Sequence, residues 1–218
     1  MDWDFLQKAL TKWGFSDTWV SRVMACVTSV RYSVKFNGRL LESFSPSRGL
    51  RQGDPLSLFL FLFVADALSA LISKSMREEG LQGVNICRGA PVISHLLFAD
   101  DSLLFFHATE QQAALVKDLL NTFAMATGQL INPSKYNITF ANVCPHGKRR
   151  RIKHILGVLS EHFEDRYLGL TVPEGRMNRG KISITSCKLA LLEKRLLAAR
   201  VKWLLVARVP ALLVSRYS

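Results

Sequence analysis

The sequence predicts an α+β fold, an antiparallel sheet with helices packed on one face. Three observations carry this. Asn37-Gly38 follows the alternating Tyr32, Val34 and Phe36, a strong two-residue hairpin signal. Two short apolar runs, His95–Phe98 and Leu103–His107, flank Ala99-Asp100-Asp101-Ser102 and read as the buried strands of a second hairpin. Helix-periodic stretches interrupt these strands irregularly, without the regular strand–helix alternation of a parallel sheet.

Taken in order, residues 2–13 predict a short helix whose Trp3, Phe5, Leu6, Leu10 and Trp13 recur near helical spacing. Asp17–Val30 predicts a second, capped by Ser16 or Asp17. Arg31–Phe44 is the Asn-Gly hairpin. Ser45–Ser57, S-P-S-R-G-L-R-Q-G-D-P-L-S, is a constrained loop. At its end Asp54 sits where an N-cap belongs and Pro55 suits the first helical turn. The helix it opens runs to about Met76 and is apolar nearly all round. It is long enough for a membrane span but lacks basic flanks on both sides, so a central buried helix is the expectation. Val84–Cys87 is a short strand. After the acid-bearing hairpin, Thr109 caps a helix over Thr109–Ala126 with Leu115, Leu119, Phe123 and Ala126 as its stripe, and Gly128 ends it. Asn132–Lys135 is a turn, Tyr136–Ala141 an alternating strand and Pro145–Leu156 a basic helix. Arg166–Val172 is a strand or hairpin. Asn178–Ala207 reads as a long basic amphipathic helix, or a broken one, ending before Pro210.

With 218 residues, 49% of them hydrophobic, the chain can bury a sizeable core and is not of disordered composition. Its formal charge of +12 is uneven: residues 145–208 hold 15 Lys/Arg against 5 Asp/Glu, while residues 1–144 hold 13 against 12. A basic C-terminal third suits a polyanion such as nucleic acid, or an anionic membrane surface, and is equally a solvated helical face. Cys26, Cys87, Cys144 and Cys187 form no C-x-x-C and no disulfide framework. The acidic start, M-D-W-D-F, is no secretion signal. Reducing, intracellular surroundings are expected, nucleus or cytoplasm alike.

Chemistry centres on the acid pair. Two carboxylates 4 Å apart repel by roughly 4 kcal/mol at an effective dielectric near 20. A divalent cation is the usual relief. The plainer reading is a solvated Asp-rich turn.

The rest of the chain decides between them. S-R-G-L-R-Q-G-D-P-L-S (Ser47–Ser57), F-A-D-D (Phe98–Asp101), G-Q-L-I-N-P-S-K (Gly128–Lys135) and Y-L-G-L (Tyr167–Leu170) occur in the order and at the separations of one family. Over roughly residues 1 to 180 the chain resembles the reverse transcriptase domain of non-LTR (LINE-type) retrotransposons, close to the plant lineage. The resemblance implies a polymerase palm-type antiparallel sheet packed on helices, with a basic helical partial thumb. It implies RNA-directed addition of deoxynucleotides to a primer 3′-hydroxyl by two-metal catalysis, with two Mg2+ ions expected and Mn2+ an alternative. Asp100 and Asp101 match the paired metal ligands. Arg48, Arg51, Gln52 and Gly53 match the loop near the templating base and nucleotide, the arginines for phosphate and Gly53 for close backbone approach. Lys135 matches the lysine that protonates the leaving pyrophosphate. Tyr167, Leu168 and Gly169 match the primer grip, and Lys148–Lys153 with the basic residues of 179–202 would cradle phosphate backbones. The implied partners are an RNA template with a DNA primer, or an RNA–DNA hybrid, and deoxynucleoside triphosphates, with no membrane. The sequence carries no signal for an oligomeric state.

Two departures shape the expected activity. The family's first catalytic aspartate lies in a motif just before its W-D-F-L segment, and here that segment begins at Trp3, so Asp2 and Asp4 match the residues after it and read as helix N-terminal acids. The fingers region is missing likewise, and the tail beyond about residue 185 matches poorly. The expected organisation is a partial palm over 1–144 and a primer-grip region with a degenerate, basic, thumb-like tail over 145–218. Polymerase activity of this chain alone is expected to be weak or absent. The rival expectations are a catalytically dead RNA or RNA–DNA binding remnant and a maturase-like protein of group II intron type.

Overall fold

The computed structural model describes residues 1–85, 89–98, 101–129, 137–141, 143–158, 161, 166–167, 170–171 and 204–210. They fall into two compact units: residues 1–71 with 120–129, and residues 72–119 with the described residues from 137 to 210.

In the first unit, α1 (Trp3–Lys12) and α2 (Asp17–Thr28) bury a common stripe. Leu6, Leu10, Val20, Val23 and Met24 close on Leu60 of α3 (Pro55–Lys74), with Trp3, Phe15, Leu50 and Phe63 packed around them. Asp2 caps α1 by accepting from the Phe5 amide at 3.1 Å, and Asp4 lies in the first turn, so both acids sit where the helix N-terminus favours negative charge. Ser16, not Asp17, caps α2, accepting from the Trp19 amide. Trp13 is the exception to the expected stripe. It is 57% exposed, with its ring edge-to-face with Phe63 at a centroid distance of 6.0 Å.

The Asn-Gly hairpin forms as expected, with β1 (Lys35–Phe36) against β2 (Arg39–Leu40). Asn37 and Gly38 both take positive φ, 46° and 81°, as a turn of this handedness requires. A bridge between Tyr32 and Phe44 extends the pairing.

Asp54 caps α3 through the Leu56 amide at 2.9 Å. The expectation of a helix buried all round is corrected here. Leu60, Phe61, Val64 and Leu68 are buried, but Leu58, Phe59 and Leu62 are 71%, 65% and 60% exposed. Uniform hydrophobicity hides which stripe a helix buries, because no polar face marks the other side. Among the described residues, Pro55–Glu79 is a helix long and apolar enough to cross a membrane by length and composition. A π-turn, Ser75–Glu79, ends it at left-handed Gly80.

The second unit is built on a four-stranded antiparallel sheet ordered β5-β6-β10-β7. β5 (His95–Phe98) pairs with β6 (Asp101–His107) from His95↔Leu104 to Phe98↔Asp101. Leu103, Leu104, Phe105 and Phe106 are all buried, so β6 is covered on both faces. β3 (Val84–Asn85) and β4 (Val92–Ile93) form a small separate ladder, and β7 (Asn137–Phe140) buries Ile138 and Phe140 on alternate positions. α4 (Glu110–Thr127) begins after Thr109, whose hydroxyl accepts from the Gln112 amide at 3.2 Å, and Gly128 at φ 66° ends it. Of the expected stripe, Leu119 and Phe123 are buried, Leu115 is half-buried and Ala126 is exposed, while Gln112, Ala113, Val116, Leu120 and Thr127 widen the buried face. α5 (His146–Leu156) anchors on buried Ile152, and β8 (Arg166–Tyr167) pairs with β9 (Leu170–Thr171) as a short hairpin.

The tail corrects a second expectation. Residues 178–203 of the expected helix lie outside the described residues, but Leu204–Pro210 is a strand, β10, between β6 and β7. L-L-V-A-R-V-P carries two β-branched valines, and two strand edges offer it hydrogen bonds along both its sides. Its last residue, Pro210, stands opposite Asp101, where a residue without an N–H can end a ladder.

Candidate functional site

The loop over residues 45–54 belongs to the first unit. Two glycines set its course, Gly49 at φ 90° and Gly53 at φ 83°, conformations open to a residue without Cβ. Gly49 donates its N–H to the Met1 carbonyl at 2.7 Å, and its carbonyl accepts from the Trp3 indole Nε1 at 2.7 Å. Leu50 turns into the core. A turn closed by the Asp54 amide on the Arg51 carbonyl, at 3.4 Å, leads into the α3 cap. Arg48, just before Gly49, and Arg51, Gln52 and Gly53, between Leu50 and the cap, are exposed. One loop therefore carries two guanidinium groups and an amide, all facing solvent, from a backbone held at both ends. Such groups can bind phosphate oxygens and hydrogen-bond base edges.

The acid hairpin belongs to the second unit. β6 brings the backbone of Asp101 to the end of the ladder, opposite Phe98 on one side and Pro210 on the other. Asp100, Lys135, Leu168 and Gly169 lie outside the described residues, as do the side chains of Asp101 and Tyr167. Tyr167 stands on β8, paired with Leu170. Among the described residues, no three His, Cys, Asp or Glu side chains gather as a metal centre would. Two adjacent carboxylates supply hard oxygen donors, the type that Mg2+ and Mn2+ select. Near the start of the hairpin, Ser94 Oγ and His95 Nδ1 lie 2.8 Å apart, and burial holds the His95 imidazole below its usual range.

Three features escaped the sequence reading. Trp3 reaches the loop through an indole N–H that no periodicity marks. Gln112 donates Nε2 to the Gly80 carbonyl at 2.9 Å and accepts from the Gln82 amide at 2.7 Å, joining α4 to the chain leading into β3. The pattern Thr109-x-x-Gln112 is a capping-box spacing and would have flagged it, although the amide serves a distant segment instead of its own cap. Finally, part of the basic run in α5 is spoken for. Arg149 and Lys153 approach Glu161 at 3.9 and 3.3 Å, Arg151 pairs with Glu110, and Arg149 also donates to the carbonyls of Ala141 and Cys144.

Against known proteins, residues 1–172 match the family model described as reverse transcriptase (RNA-dependent DNA polymerase). The chain belongs to the reverse transcriptase family. The match takes in the arginine-bearing loop, the acid hairpin and β8–β9, and stops before β10. Among its relatives is an uncharacterized mitochondrial protein of Arabidopsis thaliana, 46% identical over 66 residues, which are 30% of this chain and 54% of that protein. The retrovirus-related Pol polyprotein from type-1 retrotransposable element R2 of Nasonia vitripennis is 36% identical over 121 residues, 55% of this chain and 10% of the polyprotein. The corresponding polyprotein of Popillia japonica is 28% identical over 130 residues, 59% and 20% respectively. The chain spans about half the length of the first relative and a tenth to a fifth of the R2 polyproteins.

Proposed function

We propose that this chain carries the metal-binding hairpin and the substrate loop of an RNA-directed DNA polymerase that extends a primer on an RNA template. The observation that carries the reading is the family match running through an antiparallel hairpin whose last pair, Phe98↔Asp101, includes the second residue of the Asp-Asp dipeptide. The palm-type description of the sheet and the assignment of Tyr167, Leu168 and Gly169 to primer contact belong to the same proposal.

In this reading Asp100 and Asp101 hold divalent cations, Mg2+ by preference. Ions held there would supply Lewis-acid chemistry, lowering the pKa of a primer hydroxyl and offsetting charge on the phosphates. The chain's own residues do the rest. Burial of β6 on both faces gives a fixed strand at whose first residue, Asp101, the acid dipeptide ends. Arg48 and Arg51 neutralise phosphate, Gln52 reads a base edge, and Gly53 lets the backbone come close. Lys135 delivers the proton that pyrophosphate takes on leaving. The buried stripe of α3 supports a packing role for that helix over a membrane-spanning one, and the free thiols Cys26 and Cys144 fit a reducing, intracellular setting.

The test is binding of an RNA–DNA hybrid oligonucleotide by fluorescence anisotropy, with and without Mg2+. Tighter binding in Mg2+ is expected, because the cation offsets repulsion between the acid pair and phosphate. Asp100→Asn and Asp101→Asn should each remove the Mg2+ dependence, and Arg51→Ala should weaken binding in either condition. Affinity indifferent to Mg2+, or a Mg2+ effect that survives both substitutions, rules out this assignment.

A further inference from the structure

We infer that Trp3 is a positioning residue for the substrate loop, acting through a clasp on Gly49. The inference rests on the proposed reading of Arg48–Gly53 as the loop that meets template and nucleotide.

The geometry is local to the first unit. The Gly49 residue is gripped through both of its backbone polar groups: its N–H donates to the Met1 carbonyl and its carbonyl accepts from the Trp3 indole, each at 2.7 Å. The clasp is itself anchored. The Asp2 amide, between Met1 and Trp3, donates to the Thr127 carbonyl at 2.7 Å, and the Asp2 side chain caps α1. Thr127 is fully buried, with its hydroxyl donating to the Phe123 carbonyl at 2.7 Å. Gly49 is therefore tied to α1 and to the end of α4, while its neighbour Arg48 and the next exposed cation, Arg51, extend into solvent. Gly49 sits at φ 90° with open space where a Cβ would stand, so glycine serves here for its backbone conformation and not for room. A side chain on a pinned backbone has a narrower range of positions than one on a free loop. That order is what a guanidinium needs to meet a phosphate without first losing loop entropy.

The test uses the full chain and Trp3→Phe, which keeps an aromatic ring and removes the indole N–H. Trp19→Phe, in the same unit, is the control for loss of an indole. Loss of the clasp bond should speed hydrogen exchange of the Gly49 amide, and tryptic cleavage after Arg48 and Arg51, roughly tenfold. It should also weaken binding of an RNA–DNA hybrid, and in Trp3→Phe/Arg51→Ala the two losses should be less than additive, as for a residue that acts through another. Unchanged exchange at Gly49 overturns the clasp. Faster exchange with strictly additive binding losses overturns the positioning role. Faster exchange with no effect of Arg51→Ala on binding shows that the loop is not the substrate loop, and the inference falls with that reading. If Trp3→Phe fails to fold, Gly49→Ala strains the same clasp from the loop side, and the same outcomes decide.

Discussion

His95 opens β5 half-buried, and burial disfavours its imidazolium, so its pKa in the folded chain lies below the ordinary 6.5. As pH falls through 6.5 the unfolded chain takes up this proton before the folded one does. Stability from His95 is therefore complete above that pH and is lost as pH drops toward the folded value. A melting temperature followed from pH 8 to pH 5 should fall, and His95→Gln should flatten the curve; an identical slope in the variant would exclude this account. Single residues were unevenly legible. Asn37-Gly38, Asp54-Pro55 and the Asp2 and Asp4 pair spoke through local chemistry, in which a turn or a cap depends on a few neighbours. The Trp3 indole reaching Gly49 was not legible, because its partner is a backbone carbonyl 46 positions away and backbone atoms leave no trace in residue identity.

At the scale of elements, the acid hairpin was legible as a strand pair from its two apolar runs, but not in register: β6 begins at Asp101, so Asp101 and Ser102 of the expected turn pair with Phe98 and Leu97. α3 is the counterexample. Its hydrophobicity announces a helix but not which stripe packs, and it is packing against α1 and α2 that selects Leu60 over Leu58 and Leu62. β10 was misread for a different reason. The basic periodicity upstream suggested a helix continuing to Ala207, whereas strand edges on both sides of Leu204–Pro210 decide its state. The join between α4 and the segment before β3 depends on one buried side chain, Gln112, with both ends of its amide bonded. Gln112→Ala should lower stability by about 1–3 kcal/mol, for two lost hydrogen bonds that leave the Gly80 carbonyl and the Gln82 N–H without this partner. Chemical denaturation reads this out, with exposed Gln111→Ala expected to leave the midpoint in place.

Over the whole molecule, charge and family membership point the same way but do not have the same meaning. The C-terminal third is strongly basic, yet Arg149, Arg151 and Lys153 of α5 are engaged with acids inside the second unit, so formal charge overstates what this helix offers to a phosphate backbone. The exposed arginines of the loop, Arg48 and Arg51, are better placed to do so. The family was legible because four short motifs keep their order over most of the chain, and the family match over residues 1–172 bears this out. The central claim is that the Asp100-Asp101 end of the β5–β6 hairpin binds divalent cations. Paramagnetic broadening by Mn2+ of assigned backbone amide resonances tests it most directly. The account predicts selective broadening of the amides from Leu97 to Leu103, reversed by excess Mg2+ and lost in Asp100→Asn/Asp101→Asn. Broadening that spares this hairpin, or that persists there in the double variant, would contradict it.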